Sequence, residues 1–322
     1  MEETKKYEPL RLKPCLRSYL WGGTRLRGEY HKTGEGVIAE SWELSVRADG
    51  QTYIDSGEHC GESLADVLRA DPAGMAGTRC GIAPFPLLIK LIDAQKDLSV
   101  QVHPSDASAC REKGEQGKTE MWYVVDCRPE STLFLGFSRA VTPDELRRRA
   151  KDGTICEVLN RVAVHPGDVF FVRPGTVHAI GAGILVAEIQ QNSDTTFRVY
   201  DYNRFGADGK PRQLHTAEAT DAIDFNYGKE YFRPAVAAPG SVKEIVSTPF
   251  FTTNVIEVDG EVRRDYASLD SFVAYICTDG ALRADTDGGS EKLAALESLL
   301  LPAEIDEAVL SGKGTLLEVY MV

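Results

Sequence analysis

Hydrophobic residues in this chain occur in short runs that are separated by turns containing glycine and proline, such as His165-Pro-Gly-Asp168 and Arg173-Pro-Gly175. Short runs with this punctuation are typical of the strands of a β-sandwich or β-barrel. The sequence predicts strands over Val37–Val46, Leu87–Ile92, Leu98–Val102, Thr119–Val125, Thr132–Phe137, Val169–Val172, Ile184–Gln191 and Thr195–Tyr202. The predicted fold class is therefore mainly β.

Helical patterns are few. Thr142, followed by Pro143 and Glu145, combines a capping box with proline at the first helical position, and predicts a helix to about Lys151. Two further segments, residues 62–70 and 213–223, are predicted to be helical.

Residues 233–240 are small and carry two prolines without periodicity, which predicts a linker. We therefore expect an N-terminal domain over residues 1–235 and a small β domain over residues 240–322. The second part again has strand-like runs but no histidine, so we expect its role to be structural.

Composition narrows the class of protein. The chain has 322 residues, 43% of them hydrophobic, and a formal net charge of −13. This charge disfavours a nucleic-acid or anionic-membrane surface as partner. The seven cysteines are an odd number without a CxxC pair, and the first residues lack the apolar core of a signal peptide. We therefore expect a reduced, cytoplasmic protein with neither nucleic acid nor membrane as partner.

Gln101 and His103 are two residues apart on a predicted strand, and Pro104 follows them directly. Because side chains alternate along a strand, both project from the same face, close to the strand end. An all-β fold can form half of a metal site in this way.

Glu120 begins an otherwise apolar strand, and the alternation after it places its carboxylate on the inward face. An inward carboxylate is costly unless it is paired or bound to a metal. His178 lies at another predicted strand end. With Gln101 and His103, these residues predict a single divalent-metal centre with two imidazoles, a carboxylate and an amide oxygen. This set suits zinc, and less specifically manganese, iron or cobalt.

The segment from Glu188 to Arg198 predicts two strands joined by an Asn-Ser-Asp turn. In a hairpin the two charged side chains would face each other. We therefore expect an inward ion pair near the metal.

Four motifs occur in order: Leu98-Ser-Val-Gln-Val-His-Pro104, Gly117-Lys-Thr-Glu-Met-Trp-Tyr123, Pro174-Gly-Thr-Val-His-Ala179 and the Glu188–Arg198 segment. Together they resemble the type I mannose-6-phosphate isomerases, in the short bacterial form that lacks a helical insertion. The resemblance implies two cupin-type jelly-roll domains with a few helices. It also implies one Zn²⁺ per chain, held in the N-terminal domain by Gln101, His103, Glu120 and His178.

The resemblance further implies an aldose–ketose isomerase that interconverts D-mannose 6-phosphate and D-fructose 6-phosphate. The family's active-site arginine matches Arg198, and its lysine before the glutamate ligand matches Lys118. Its phosphate-contacting serine matches Ser99. Arg204 stands where longer enzymes typically have lysine, and keeps the positive charge.

For the chemistry we expect an enediol intermediate, with Glu188 as the candidate base. Arg198 and Lys118 would stabilise the developing charge or relay protons. Ser99, Lys90 and Arg204 would hold the phosphate; Lys90 is a cation inside an apolar strand, which is otherwise hard to explain.

Two other functions stay open at this point. One is a metal cupin oxygenase, which Gln101 in place of a histidine disfavours. The other is a non-catalytic cupin paralogue that binds sugar phosphates, which the full ligand set together with Arg198 disfavours. For the assembly we expect a monomer or a homodimer.

Overall fold

The structure is a computed structural model that describes residues 7–80, 85–107, 116–206, 209–226, 232–234 and 237–321. Within these residues the chain forms several antiparallel sheets and few helices. The prediction of a mainly β fold is confirmed.

The strands are β1 Leu10–Lys13, β2 Cys15–Arg17, β3 Glu40–Leu44, β4 Val46–Arg47, β5 Gly50–Gln51, β6 Tyr53–Ile54, β7 Leu87–Ala94, β8 Val100–Val102, β9 Glu120–Cys127, β10 Thr132–Phe137, β11 Leu159–Ala163, β12 Asp168–Val172, β13 His178–Ala179, β14 Ile184–Gln191, β15 Phe197–Tyr200, β16 Phe232–Pro234, β17 Ser241–Ser247, β18 Thr252–Asp265, β19 Val273–Asp285, β20 Ser290–Ala294, β21 Ser298–Leu301 and β22 Glu307–Tyr320. The helices are α1 Arg25–Gly28, α2 Leu64–Ala70, α3 Pro72–Ala76, α4 Pro143–Asp152 and α5 Thr216–Ala222, with 3₁₀ turns at Thr78–Cys80 and Ile155–Val158.

Several predicted boundaries agree with the structure. The strands Thr132–Phe137 and Ile184–Gln191 have the predicted limits. Helix α4 begins after Thr142, whose hydroxyl accepts a hydrogen bond from the Glu145 backbone N–H at 3.2 Å. It ends at Gly153, which has the left-handed conformation (φ 74°) that favours glycine.

The chain forms two compact units from discontinuous segments. One contains the described residues within 17–40 and 92–234, and the other those within 1–16, 41–91 and 235–322. The predicted N-terminal domain, residues 1–235, differs from the first unit because the described residues within 1–16 and 41–91 belong to the second unit. Strand β1 pairs there with β21 and with β6. These pairings place residues 7–16 with the C-terminal strands, although a boundary near residue 235 is common to both divisions.

The first unit contains a five-stranded sheet in the order β11-β10-β13-β8-β15 and strands in the order β16-β12-β9-β14. Alternation along β10 gives the five-stranded sheet two buried faces. Leu133 and Leu135 pack with Trp122 and Phe170 in one cluster. Phe134 packs instead in a second cluster that includes residues of α4 and α5. Helices therefore cover one face of this sheet, and the other face looks into the unit's interior.

The predicted hairpin between Glu188 and Arg198 is wrong. β14, which carries Glu188, pairs with β9, whereas β15, which carries Arg198, pairs with β8 in the five-stranded sheet. The turn between β14 and β15 therefore takes the chain from the sheet that contains β9 to the sheet that contains β8.

The second unit is built around the long strands β18, β19 and β22, and the sheet order there is β17-β18-β22-β19-β21-β1-β6 with β20 beside β19. The predicted linker at 233–240 begins within β16, which pairs with β12; residues 235–236 lie outside the described residues. Among the described residues, no helix is long and apolar enough to cross a membrane.

A buried ion pair lies in the C-terminal strands. The Arg264 guanidinium donates two hydrogen bonds to the Glu318 carboxylate, at 2.8 and 2.9 Å. Tyr266 donates to the same carboxylate at 2.5 Å and Asn254 at 2.6 Å. Glu318 is fully buried, so its charge depends on these donors instead of water.

Replacing Glu318 with alanine should lower the free energy of unfolding by about 3–5 kcal/mol, because buried Asn254 and Tyr266 would lose their acceptor and the partly buried Arg264 its partner. Chemical denaturation measures this change. The matched control is Glu307→Ala, since the Arg263–Glu307 pair joins the same two strands but its side chains are 62% and 50% exposed. Glu307→Ala should lower the free energy of unfolding by less than about 1 kcal/mol. Equal losses in the two variants would show that the burial of Glu318 does not make its ion pair more important for stability.

Candidate active site

Strand pairing brings three predicted site residues together in the first unit. Gln101 on β8 lies opposite His178 on β13 and, on its other side, opposite Arg198 on β15. The neighbours of Gln101 on its strand, Val100 and Val102, pack in the cluster that includes the helices. Because side chains alternate along a strand, Gln101 projects to the opposite face, into the interior of the unit.

His103, Glu120 and His178 form a compact, fully buried triad whose potential ligand atoms all lie within 4.8 Å of one another. His103 Nε2 is 3.4 Å from Glu120 Oε2, and His178 Nε2 is 3.5 Å from Glu120 Oε1. Each histidine thus faces a different oxygen of one carboxylate. Two imidazoles and a carboxylate in this arrangement are a donor set that can hold a divalent metal.

The other nitrogen of each ring is tied to the backbone. His103 Nδ1 lies 3.0 Å from the Thr195 carbonyl oxygen, and His178 Nδ1 lies 2.8 Å from that of Thr176. A carbonyl can only accept, so each Nδ1 carries the proton and donates it, which leaves a lone pair on Nε2. Metal-binding histidines are typically oriented in this way.

Burial keeps both rings neutral. Desolvation and the neighbouring Lys118 together lower the pKa of His103 to about 4, although Glu120 acts in the opposite direction. Desolvation also lowers the pKa of His178. Both rings therefore present lone pairs instead of protons at neutral pH, as metal ligation requires.

Glu120 has the opposite tendency. Burial alone would raise its pKa, but Lys118 and the two histidines hold it well below the usual range, so the carboxylate is charged. Its Oε2 contacts the Lys118 ammonium at 2.7 Å, whereas Oε1 faces His178 Nε2 at 3.5 Å. A buried, charged carboxylate that lies between two imidazole lone pairs fits a metal ligand.

Lys118 brings a cation to this site. Its Nζ lies 2.7 Å from Glu120 Oε2, 3.3 Å from His103 Nε2 and 3.7 Å from Glu188 Oε1. The lysine is 4% exposed. It therefore connects the triad to the second buried carboxylate.

Glu188 lies directly opposite Trp122 on the adjacent strand, and the indole N–H donates to Glu188 Oε2 at 3.0 Å. This bond fixes one carboxylate oxygen, while the other faces Lys118. Glu188 is 4% exposed. The arrangement gives an oriented carboxylate beside the triad.

Gln101 is held between two predicted site residues. Its Nε2 lies 3.4 Å from His178 Nε2, and its Oε1 accepts a hydrogen bond from the Ser99 hydroxyl at 3.3 Å. The carboxamide therefore reaches the edge of the triad, and a half-turn about its terminal bond would present the oxygen there.

Arg198 is half-buried, and burial lowers its pKa. Its Nη1 donates to the Gln213 carbonyl oxygen at 2.9 Å. Arg204 donates from Nη1 to the Asp97 carbonyl oxygen at 2.6 Å and pairs with Asp201. The structure thus places both arginines in the unit that contains the triad.

Lys90 belongs to the other compact unit. It is 4% exposed, and its Nζ lies 5.2 Å from the centroid of the Trp42 ring. Its assignment to the phosphate site stays a prediction.

Comparison with known proteins agrees with this geometry. The family model described as phosphomannose isomerase type I, catalytic domain, matches residues 10–133. A probable mannose-6-phosphate isomerase of Bacillus subtilis is 37% identical over 313 residues, which cover 94% of this chain and 96% of that protein. A mannose-6-phosphate isomerase of Streptococcus mutans is 35% identical over 283 residues, covering 85% and 87% of the two chains.

The chain belongs to the type I mannose-6-phosphate isomerase family. Its backbone also matches the crystal structure of the mannose 6-phosphate isomerase from Bacillus subtilis, with a TM-score of 0.88 and 31% identity over 98% of this chain and 99% of that one. The resemblance inferred from the four motifs is therefore confirmed.

Sequence reasoning missed several contacts in the unit that contains the triad. Trp122 appears in the second motif, but the sequence gives no sign that its indole orients Glu188. Asp201 and Arg212 were not singled out, yet Arg212 donates to Asp201 from Nε at 2.7 Å. An arginine in a loop gives no periodic signal, so the pairing depends on tertiary structure.

If the triad holds a divalent metal, Glu120→Gln should weaken metal binding by more than about 100-fold, because the carboxylate charge is lost from a site with two neutral rings. Isothermal titration of the metal-stripped protein with Zn²⁺ measures this directly. The control is Glu130→Gln, an exposed carboxylate in the same unit. Unchanged affinity in Glu120→Gln would exclude Glu120 as a ligand.

Proposed function

We propose that this protein catalyses the reversible isomerisation of D-mannose 6-phosphate and D-fructose 6-phosphate through an enediol, with one Zn²⁺ per chain. Two relatives that match most of its length carry the name mannose-6-phosphate isomerase. The observation that carries the proposal is the buried, charged Glu120 between two histidine lone pairs, in a chain of this family. A cytoplasmic location, and a monomeric or homodimeric state, stay predictions.

Gln101, His103, Glu120 and His178 would hold the metal. The first of these is the least usual ligand, and its 3.4 Å contact with His178 supports its inclusion. When bound, the metal would supply a Lewis acid that polarises a sugar oxygen.

Glu188 would remove the proton from the carbon beside the carbonyl and return it to the neighbouring carbon. The position of Glu188 supports this role. The Trp122 N–H donates to one carboxylate oxygen, and the other oxygen would accept the proton. Water is largely excluded from this buried carboxylate, so the proton can return to the substrate without prior exchange.

Lys118 and Arg198 would stabilise the negative charge that develops on the two sugar oxygens. A fixed cation in a buried site stabilises such charge more strongly than it would in water. Lys118 lies 3.7 Å from the proposed base, so it can also relay a proton to it. Ser99 and Arg204, both in the first unit, would bind the phosphate; a part for Lys90 in this binding stays a prediction from the sequence.

The experiment that tests the function is a coupled assay. Purified protein given mannose 6-phosphate should form fructose 6-phosphate; chelation should abolish this activity, and zinc should restore it. Activity that survives complete removal of metal would exclude the metal-dependent mechanism.

The same samples distinguish the other two functions. Oxygen consumption that depends on substrate would indicate an oxygenase. Binding of mannose 6-phosphate without isomerisation, in protein with a full complement of metal, would indicate a non-catalytic paralogue. Family membership favours the isomerase over both.

Arg198→Ala should lower kcat roughly 100- to 1,000-fold, as expected when a fixed cation is removed from a developing negative charge. Its zinc content should stay at the wild-type value, because Arg198 is not among the proposed ligands. Metal analysis of the same preparation makes the comparison. Loss of zinc in parallel with activity would assign Arg198 a structural role.

A further inference from the structure

Two arginines of the first unit share one buried carboxylate. Asp201 is 4% exposed, and its Oδ1 accepts hydrogen bonds from Arg204 Nη2 and Arg212 Nη2, each at 2.5 Å. Arg212 Nε also donates to Oδ2 at 2.7 Å, so the Arg212–Asp201 contact is bidentate. We call these three residues the arginine clamp. This paired contact fixes the plane of the Arg212 guanidinium group. Arg204 makes a single bond to the carboxylate, and its Nε donates to the Asp201 carbonyl oxygen at 3.2 Å.

The charge around the clamp is not balanced. With Arg198 the group contains three guanidinium groups and one carboxylate, a formal excess of two positive charges in a protein whose net charge is −13. Burial, and after it the positive charge of Arg212, lowers the pKa of Arg198, while Asp201 opposes the shift. An excess of two positive charges on planar guanidinium groups matches a phosphate dianion.

Two separate paths of contacts lead from the clamp to the candidate metal site. Arg204 Nη1 donates to the Asp97 carbonyl oxygen at 2.6 Å. Asp97 is two residues before Ser99, whose hydroxyl bonds to Gln101 at 3.3 Å. The clamp is therefore anchored beside the strand that carries Gln101.

The second path runs through Arg198. Its Nη1 donates to the carbonyl oxygen of Gln213, the residue after Arg212, at 2.9 Å. Arg198 also lies opposite Gln101 on the neighbouring strand. The clamp and the metal site are thus connected on both sides of Gln101, as expected for the two ends of one substrate site.

The backbone between Asp201 and Arg204 is strained. Tyr202 and Asn203 both have φ of 54°, in the left-handed region that non-glycine residues rarely adopt. The turn is closed by a hydrogen bond from the Arg204 N–H to the Asp201 carbonyl oxygen at 3.0 Å. Strain of this kind is typical of functional sites, because the surrounding structure must hold it in place.

We propose that Arg212 binds the substrate phosphate together with Arg204, and that Asp201 is a positioning residue that orients both guanidinium groups towards it. This inference rests on the proposed function, because it takes the phosphorylated hexose as the ligand. The clamp would select the phosphorylated sugar over the free sugar, since binding energy at the phosphate is remote from the reacting carbons.

The test compares mannose 6-phosphate with unphosphorylated mannose on the metal-loaded protein. Arg212→Gln should raise KM for mannose 6-phosphate by about tenfold or more, with kcat within roughly threefold of wild type and kcat/KM for mannose nearly unchanged. Arg212→Lys should give an intermediate KM, because lysine keeps the positive charge but cannot donate two parallel hydrogen bonds to one phosphate. Asp201→Asn should raise KM in the same selective way. Arg161→Gln, an exposed arginine of the same unit, is the control.

A second measurement separates this inference from the proposed function. Titration with inorganic phosphate should show binding by wild type that Arg212→Gln weakens by about the same factor as KM. If wild type does not isomerise but its phosphate binding depends on Arg212, the proposed function fails and the phosphate site stands. If Arg212→Gln and Arg212→Lys lower kcat/KM equally for both sugars, or leave phosphate binding unchanged, Arg212 is structural and the proposal is overturned.

Discussion

The structure of the site depends on one electrostatic constraint, the buried negative charge of Glu120. Burial opposes this charge, and three neighbours, Lys118, His103 and His178, hold the pKa of the carboxyl low. These three residues come from different parts of the chain, so the arrangement of the strands must bring them to within a few ångströms of one carboxylate. The same charge that is costly in a dry interior makes the site selective for a cation.

The features of the fold and site that could be predicted from the sequence are those that depend on residues close together in the chain. Strands β10 and β14 and the start of α4 depend on alternation and capping, and were predicted with their limits. The triad was found because His103 and His178 lie at predicted strand ends and Glu120 begins an otherwise apolar strand. The Glu188–Arg198 pairing was predicted wrongly, because a short polar turn is equally compatible with a hairpin and with a crossing between sheets. The Asp201–Arg212 pairing has no local signature at all.

Charge is distributed unevenly in this acidic protein. In the described site region of one unit, four cations (Lys118, Arg198, Arg204 and Arg212) outnumber three carboxylates (Glu120, Glu188 and Asp201) by one charge, although the whole chain carries −13. Such a local reversal of sign can attract an anionic substrate even when the protein as a whole repels it, because screening confines the influence of distant charges to about 10 Å at moderate salt.

The histidine rings of the triad are oriented by main-chain carbonyls, those of Thr195 and Thr176, instead of by acidic side chains. A carboxylate that orients a histidine can be lost through one codon change, but a peptide oxygen is present whatever residue occupies the position. The backbone conformation therefore determines the tautomer of each ring. The side chains at positions 176 and 195 do not affect it as long as the loops keep the same conformation.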